Sequence, residues 1–335
     1  MTPPLLSASE RAVFLNLADP AAASPVEVPD AGQIERLVAF SESHSVLPVI
    51  WRKLQEQWPT GTELEATLSA VITHADRSLR IAAGQSMLLA YHGRQVGELL
   101  RASEIPCALV KGPVFAEKIY GHPGDRPFTD IDLLVPDDRM DAANEVMAGS
   151  EFVISKKEWD HSGAYREYKW THAKNSSLLI EVHGNLVHYP HLRRRVSFGY
   201  EDLLRAGQGD AEAPSALLLT AVVHASCGHK FHNLRFLVDV LQAARAVPMG
   251  EESRVYDAAR ALNAELETAA ALDLTVLTFG DERARDVAAR FPKTSARTVA
   301  GLLLSKTAVL DAPARTLSSR SRRNSFRLLQ NGWSG

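Results

Sequence analysis

The sequence predicts an α+β protein: a small core of strands and helices set between N- and C-terminal helical regions. Three observations carry this. Apolar residues recur at helical spacing before residue 105 and again after residue 200. Between those limits lie short runs rich in β-formers, bounded by Gly, Pro and Asp. The first two runs are joined by a short helical stretch and the later ones alternate as antiparallel strands do, a succession that suggests a small α+β core.

Residues 1–85 form the N-terminal helical region. Ile34, Leu37 and Val38 mark a helix over 33–40, separated by the proline-bearing stretch 20–29 from a shorter one over 12–17. The helical period continues over 63–71 and 77–100, where Gly93 and Gly97 argue against a straight helix. The core spans 86–200. Its first strand, Cys107-Ala108-Leu109-Val110, is punctuated by Lys111-Gly112-Pro113, and Pro113 suits the first position of a helix over 114–120. A loop from Gly121 to Pro127 leads to a second strand over 130–135, stopped by Pro136. A helix over 138–148 and strands over 152–155, 165–170 and 178–183 complete the core.

The C-terminal helical region spans 201–311. Strong helices occupy 213–226 and 234–245, the second striped by Leu234, Leu237, Val238 and Leu241. Weaker ones follow at 255–262, 265–278, 282–290 and 298–304. The tail, 312–335, holds Arg315, Arg320, Arg322, Arg323 and Arg327 among serines with no acid, and is expected to be flexible.

Composition excludes several classes. The 335 residues carry 37 basic and 40 acidic side chains, a net charge of −3, and 45% of them are hydrophobic. Those values are globular, so a disordered or collagen-like chain is ruled out. Near-neutral charge argues against a surface wholly devoted to nucleic acid. Cys107 and Cys227 make no disulfide framework and fit a reducing compartment. The segment Met1-Thr2-Pro3-Pro4-Leu5-Leu6 lacks the basic and apolar stretches of a signal peptide. The longest apolar run, 216–223, falls far below the ~20 residues needed to span a bilayer. A cytoplasmic protein with no membrane partner is expected.

The sharpest chemical feature is Thr129-Asp130-Ile131-Asp132-Leu133-Leu134-Val135. In a strand, residues two apart share a face, which sets Asp130 and Asp132 roughly 6–7 Å apart. Two carboxylates so placed repel unless a cation lies between them, and such oxygen donors suit Mg2+ or Mn2+. A lone D-x-D reads equally as two solvated acids at a strand end, but the Leu-Leu-Val run sets this pair at the lip of a core strand. Glu181 lies inside Leu178-Leu179-Ile180-Glu181-Val182-His183, where an unpaired charge is costly. If the two strands are neighbours, three carboxylates converge, enough for the two-cation arrangement of phosphoryl and nucleotidyl transfer. His183 shares Glu181's face and either orients it, touches substrate, or is simply a core histidine. The Val110-Lys111-Gly112-Pro113 junction offers backbone N–H groups and a lysine to a phosphate chain. Arg126 contacts phosphate or pins its loop to Asp130.

Leu109-Val110-Lys111-Gly112, Ala116, Tyr120, Arg126, Asp130-Ile131-Asp132-Leu133-Leu134-Val135, Glu181-Val182-His183, His224 and Leu234-Arg235-Phe236-Leu237-Val238-Asp239 occur in this order. The succession resembles the uncharacterised nucleotidyltransferase family of the DNA polymerase β-like superfamily, over residues 105–240. The resemblance implies a polymerase β-like nucleotidyltransferase core, a small mixed sheet with flanking helices framed by helical extensions, and transfer of a nucleoside monophosphate from an NTP, with pyrophosphate leaving. Mg2+ or Mn2+ would be the cofactor and the NTP, ATP among the candidates, the co-substrate. Asp130, Asp132 and Glu181 would be the catalytic and metal-ligating residues, with Lys111, Gly112, Arg126 and His183 around the nucleotide.

There are departures from the superfamily pattern. Lys111-Gly112 stands where Gly-Ser or Gly-Gly is usual, so the serine that touches the triphosphate is missing, and Pro113 removes one donor. Glu181 replaces the commoner Asp. The acceptor is a hydroxyl or phosphate, with a peptide, protein or small molecule favoured. RNA is the third option, as in tRNA-modifying toxins of similar pattern, with Arg193-Arg194-Arg195 and the tail tracking phosphates. A catalytically silent NTP-binding regulatory module is the alternative from another class. His224, Cys227, His229 and His232 are potential zinc ligands. They come from one segment where tetrahedral sites draw on two, so a helix end is expected. His224 and Asp239 face the acceptor or tie the helices to the core, and Arg166 and Lys169 are expected on a solvated face.

Overall fold

Five strands form one sheet: Ala108–Val110 (β1), Ile131–Leu134 (β2), Phe152–Trp159 (β3), Arg166–His172 (β4) and Asn175–His183 (β5). A computed structural model describes residues 6–22, 29–57, 67–159 and 165–332. The order is β1-β2-β5-β4-β3, with β2 and β5 parallel and the other neighbours antiparallel. Strand β2 is buried along its whole length, as its nearly continuous apolar sequence requires. The one charge within it, Asp132, therefore needs partners.

Helices surround the sheet. Ala8–Ala18 (α1) and Ala31–Ser43 (α2) each begin at a capping box, Ser7 with Glu10 and Asp30 with Gln33. Leu47–Gln57 (α3) has no counterpart in the sequence reading, because Leu47-Pro48-Val49-Ile50-Trp51 shows no helical period. Proline is tolerated there because it falls in the first turn. Residues 63–66 of the helix expected next lie outside the described residues; the rest merges with its successor into Ser69–Ala102 (α4), 34 residues long. Gly93 does not break α4. A Cβ on it would lie 3.0 Å from Ile131 Cγ2, so the glycine lets α4 pass close across β2.

Gly112–Lys118 (α5) and Met140–Ala148 (α6) complete the elements around β1 and β2. After β5 come Pro190–Arg193 (α7), Tyr200–Ala206 (α8), Pro214–Val223 (α9) and Leu234–Ala246 (α10). A π-helical turn, His224–Gly228, ends α9. Glu252–Ala261 (α11), Glu265–Phe279 (α12), Glu282–Ala288 (α13), Ser295–Leu303 (α14) and Lys306–Leu310 (α15) precede the last helix, Leu317–Gln330 (α16).

Two apolar clusters hold these layers. In one, Ile131, Leu133 and Ile180 of the sheet pack with Leu89 and Val96 of α4 and Met140 and Met147 of α6. In the other, Phe14, Leu37 and Trp51 from the N-terminal helices join Leu218, Leu237 and Leu272 from the C-terminal ones, with Val110 and Phe115. The two flanks thus share one core.

The arginine-rich tail corrects the expectation of flexibility. Its α16 buries Phe326 completely, and Arg327 donates to the carbonyls of Ser226 and Cys227. An apolar face at helical spacing was hidden among the arginines. No helix among the described residues is long and apolar enough to cross a membrane.

Candidate functional site

Strand register builds the site. The parallel pairing of β2 and β5 sets Asp132 beside Glu181, and the antiparallel pairing of β4 sets Lys169 beside Glu181 and Glu167 beside His183. Neighbouring side chains in such rows are close enough to interact. Lys111 Nζ lies 2.5 Å from Asp132 Oδ1, and Lys169 Nζ lies 2.5 Å from Glu181 Oε1 and 2.7 Å from Glu167 Oε1. His183 Nε2 donates to Asp132 Oδ1 at 2.9 Å. Donor atoms of Asp132, Glu181 and His183 all lie within 4.8 Å of one another.

The turn from β1 into α5 aims Lys111 at this row. Lys111 has φ 58° and ψ −127°, a conformation that favours glycine and costs on the order of 1–3 kcal/mol for other residues. The ion pair with Asp132 holds the ammonium in place at the end of this turn. Gly112 follows because a Cβ there would meet Phe128 Cγ at 3.2 Å and the Asp130 carbonyl at 3.5 Å. Helix α5 has seven residues, so its dipole adds little beyond its first amides.

The carboxyls divide by environment. Burial pushes Asp132 up, but Lys111 and His183 together outweigh it and hold the carboxyl well below the usual range. Burial raises Glu181, and Asp132 adds to that against the pull of His183 and Lys169. Asp130 is likewise raised by burial and then by Asp132. Among the described residues it has no ion-pair partner. Glu167, 1% exposed, is held low against its own burial by His188, His183, Lys169 and Tyr165. Lys169 is raised because Glu167 and Glu181 outweigh the desolvation of its ammonium.

These residues open on a cavity of about 310 Å3. Lys111, Gly112, Arg126, Asp130, Asp132 and Glu181, all singled out from the sequence, line it. His183 does not: its side chain is fully buried behind Asp132. It meets the carboxylate row through its hydrogen bond to Asp132 and not at the cavity wall. Arg126 is corrected in its partner. Its Nε and Nη2 donate to Asp239 Oδ1 and Oδ2 at 2.7 and 3.0 Å, and Tyr120 OH donates to the same Oδ1 at 2.7 Å, so the loop is pinned to α10 and not to Asp130.

Lys169, expected in solvent, lies inside the cavity with His188, His229 and Arg235, which the sequence did not place there, and with His224, for which facing the acceptor was one of two expectations. Alternation in β4 put Lys169 on one face with Glu167, but only strand pairing turns that face toward Glu181. The zinc-like segment gathers no metal cluster among the described residues. His224 and His229 instead meet Nε2 to Nε2 at 3.1 Å, and His229 stacks on Phe236 with ring centroids 4.2 Å apart. Burial lowers both, His229 to about 3, so they line the cavity as neutral rings. A larger cavity, about 550 Å3, lies alongside between α4 and the loop before β2. Met87, Tyr91, Pro113 and Phe128 line it, and it lacks the carboxylate row.

The residues present fit a divalent cation. The Asp132 and Glu181 carboxylates converge in front of His183, and Asp130, outside that group, lines the same cavity, raised by burial and by Asp132 against the pull of Lys111, Arg235 and Arg126. The mixed sheet carries acids on adjacent parallel strands, with a lysine turned over them. The family comparison makes this specific. The chain belongs to the uncharacterised nucleotidyltransferase family, whose model matches residues 30–280. The match extends beyond residues 105–240 on both sides, into the helical flanks. A comparison with curated proteins gave no match.

Proposed function

We propose that this protein is a Mg2+-dependent nucleotidyltransferase that moves a nucleoside monophosphate from an NTP to a hydroxyl or phosphate, on a peptide, protein or small molecule. The observation that carries the reading is the pairing of Asp132 with Glu181 on adjacent parallel strands beneath Lys111. A polymerase β-like core is the fold this reading entails, with the metal-binding acids on two adjacent strands of the sheet and the helical flanks around it.

Asp130, Asp132 and Glu181 would hold the cations, and Mn2+ could replace Mg2+ at these oxygen donors. When bound, the divalent ions supply charge neutralisation at the phosphates and a more acidic acceptor hydroxyl. His183 fixes the Asp132 carboxylate, and Lys169 fixes Glu181. Lys111 and the Gly112 amide receive phosphate oxygens beside Asp132. The acceptor oxygen bonds to the α-phosphorus as the bond from that phosphorus to the bridging oxygen breaks. Pyrophosphate leaves with the electron pair, and the hydroxyl proton passes to solvent. Catalysis rests on alignment and electrostatics, the terms that dominate such transfers.

RNA is the less favoured acceptor, since several of the arginines expected to track it are tied to the fold, although Arg194, Arg315 and Arg320 stay exposed. Arg193 donates to the carbonyls of Val187 and His188, Arg195 to that of Gln330, and Arg322 to that of Leu302. The test is release of pyrophosphate from each of the four NTPs, with Mg2+ and a host extract as acceptor source. Release that requires both metal and extract supports the reading; nucleotide bound with Mg2+ but never cleaved would leave the silent regulatory module in its place.

A further inference from the structure

We infer that Arg235 forms the anion-binding half of the cavity and grips the β- and γ-phosphates of the nucleotide, the part that leaves as pyrophosphate. This deepens the proposed function and rests on it. The inference starts from the charges that line the cavity. Lys111 is paired with Asp132, Lys169 with Glu167 and Glu181, and Arg126 with Asp239. Arg235 alone among these cations has no acid within 4.0 Å among the described residues, and its Nε is sealed from solvent without a hydrogen-bond partner.

The Phe236 ring centroid lies 5.3 Å from the Arg235 guanidinium carbon, a contact that supplies no carboxylate to balance the charge. Asp239, one turn further along α10, is the natural intrahelical partner of Arg235, yet both its oxygens are taken by Arg126. Arg235 also sits in the first turn of α10, where the helix dipole opposes a cation. Burial and then the neighbouring Arg126 lower its guanidinium to about 10, which leaves it charged at neutral pH. An uncompensated guanidinium beside a cavity is costly unless an anion completes it.

Its counterpart is Asp130, which lines the same cavity and also lacks an ion pair, though the two do not meet within 4.0 Å. The unpaired acid suits a cation and the unpaired guanidinium an anion, and a nucleotide triphosphate with its metal satisfies both. A guanidinium takes phosphate oxygens in pairs, which fits it to the two terminal phosphates. It also takes over the grip of the serine that is missing after Lys111.

The experiment is calorimetric titration of the full chain with pyrophosphate, with an NTP analogue whose α–β bridge is methylene, and with the matching monophosphate, all with Mg2+. Arg235→Met is compared with Arg235→Lys and with the unaltered protein, and thermal melts are run alongside. Arg235→Met is expected to weaken pyrophosphate and the triphosphate analogue at least ~10-fold. The monophosphate should bind within about twofold of before, and Arg235→Lys should recover part of the loss. The melting temperature of Arg235→Met should hold or rise, since an unpaired charge has been removed; a structural arginine would lower it. Equal binding of pyrophosphate by Arg235→Met and the unaltered protein overturns the inference and leaves the transferase reading intact. Failure of the unaltered protein to bind pyrophosphate overturns it as well. Binding that depends on Arg235 without any nucleotide transfer keeps the anion site and removes the transferase reading.

Discussion

Asp132 and Glu181 lie side by side on parallel strands, and each is gripped by its own lysine, Lys111 and Lys169. The shared row makes the two carboxylates one electrostatic unit with different set points, Asp132 low and Glu181 raised. Replacing Asp132 by Asn keeps the shape and removes the charge that Lys111 and His183 surround. Nucleotide transfer should fall by ~10³-fold or more, measured as initial rate against label from the α-phosphate. Asp132 also contributes to stability with a definite sign. Its folded-state pKa is depressed, so its contribution is present above the unfolded value of about 3.9 and is lost as pH falls through the lower folded value. Urea titrations should show a shallower acid limb in Asp132→Asn than in the unaltered protein.

Asp130 should behave oppositely. Its folded-state pKa is raised by burial and by Asp132, so stability declines as pH rises from its unfolded value through the folded one. Without metal at pH 7, Asp130→Asn should melt no lower than the unaltered protein. The rise in melting temperature produced by Mg2+ should shrink in this variant. A metal-dependent rise that is equal in both proteins would remove Asp130 from the metal site.

Lys169→Met tests whether the cross-strand lysine sets the working charge of Glu181. Removing an ammonium that pulls Glu181 down moves that carboxyl further up. The acid limb of the rate–pH profile should therefore shift to higher pH, with the larger fall in rate below neutrality. A profile that drops uniformly at every pH assigns Lys169 to packing alone.

Gly112→Ala probes the close approach of the β1–α5 turn to the acidic strand. The new methyl meets Phe128 at 3.2 Å and must push the segment carrying Asp130. Overpacking of this kind costs typically ~1–3 kcal/mol. Chemical denaturation should show a loss in that range, together with reduced Mg2+ affinity.

Arg126→Met isolates the clasp between the loop and α10. Removing one partner of the fully buried Arg126–Asp239 pair, which also holds Tyr120, should cost ~3–5 kcal/mol in urea denaturation. Tyr120→Phe removes one buried hydrogen bond to a carboxylate and should cost about 1.5–3 kcal/mol.

Much of the site was legible because its chemistry is local. Asp132 stands out as an acid at the start of an apolar strand, with Asp130 just before it, Glu181 as an acid inside an apolar run, and Lys111-Gly112 as a strand–turn–helix junction. What the sequence hid depends on contacts between distant segments. Lys169 looked solvated until β4 paired with β5 and brought it onto Glu181. Asp239 lies 113 residues after Arg126, and no local pattern couples them. Arg235 stood in a recognisable segment, but its lack of an ion-pair partner appears only once Asp239 is known to be taken. The fold divides the same way. The five strands were placed within a few residues, whereas α3 was masked by Pro48 in an apolar run, and Gly93 argued against a straight helix where it allows close packing on Ile131.

The most direct test of the central claim is label transfer from α-labelled NTPs with Mg2+ and host extract, comparing the unaltered protein with an Asp132→Asn, Glu181→Gln pair of single variants. The expected result is a labelled acceptor and stoichiometric pyrophosphate from the unaltered protein, with both lost in each variant while its fold, judged by melting, persists. Undiminished label transfer by either folded variant would contradict the assignment of this carboxylate row as the catalytic centre.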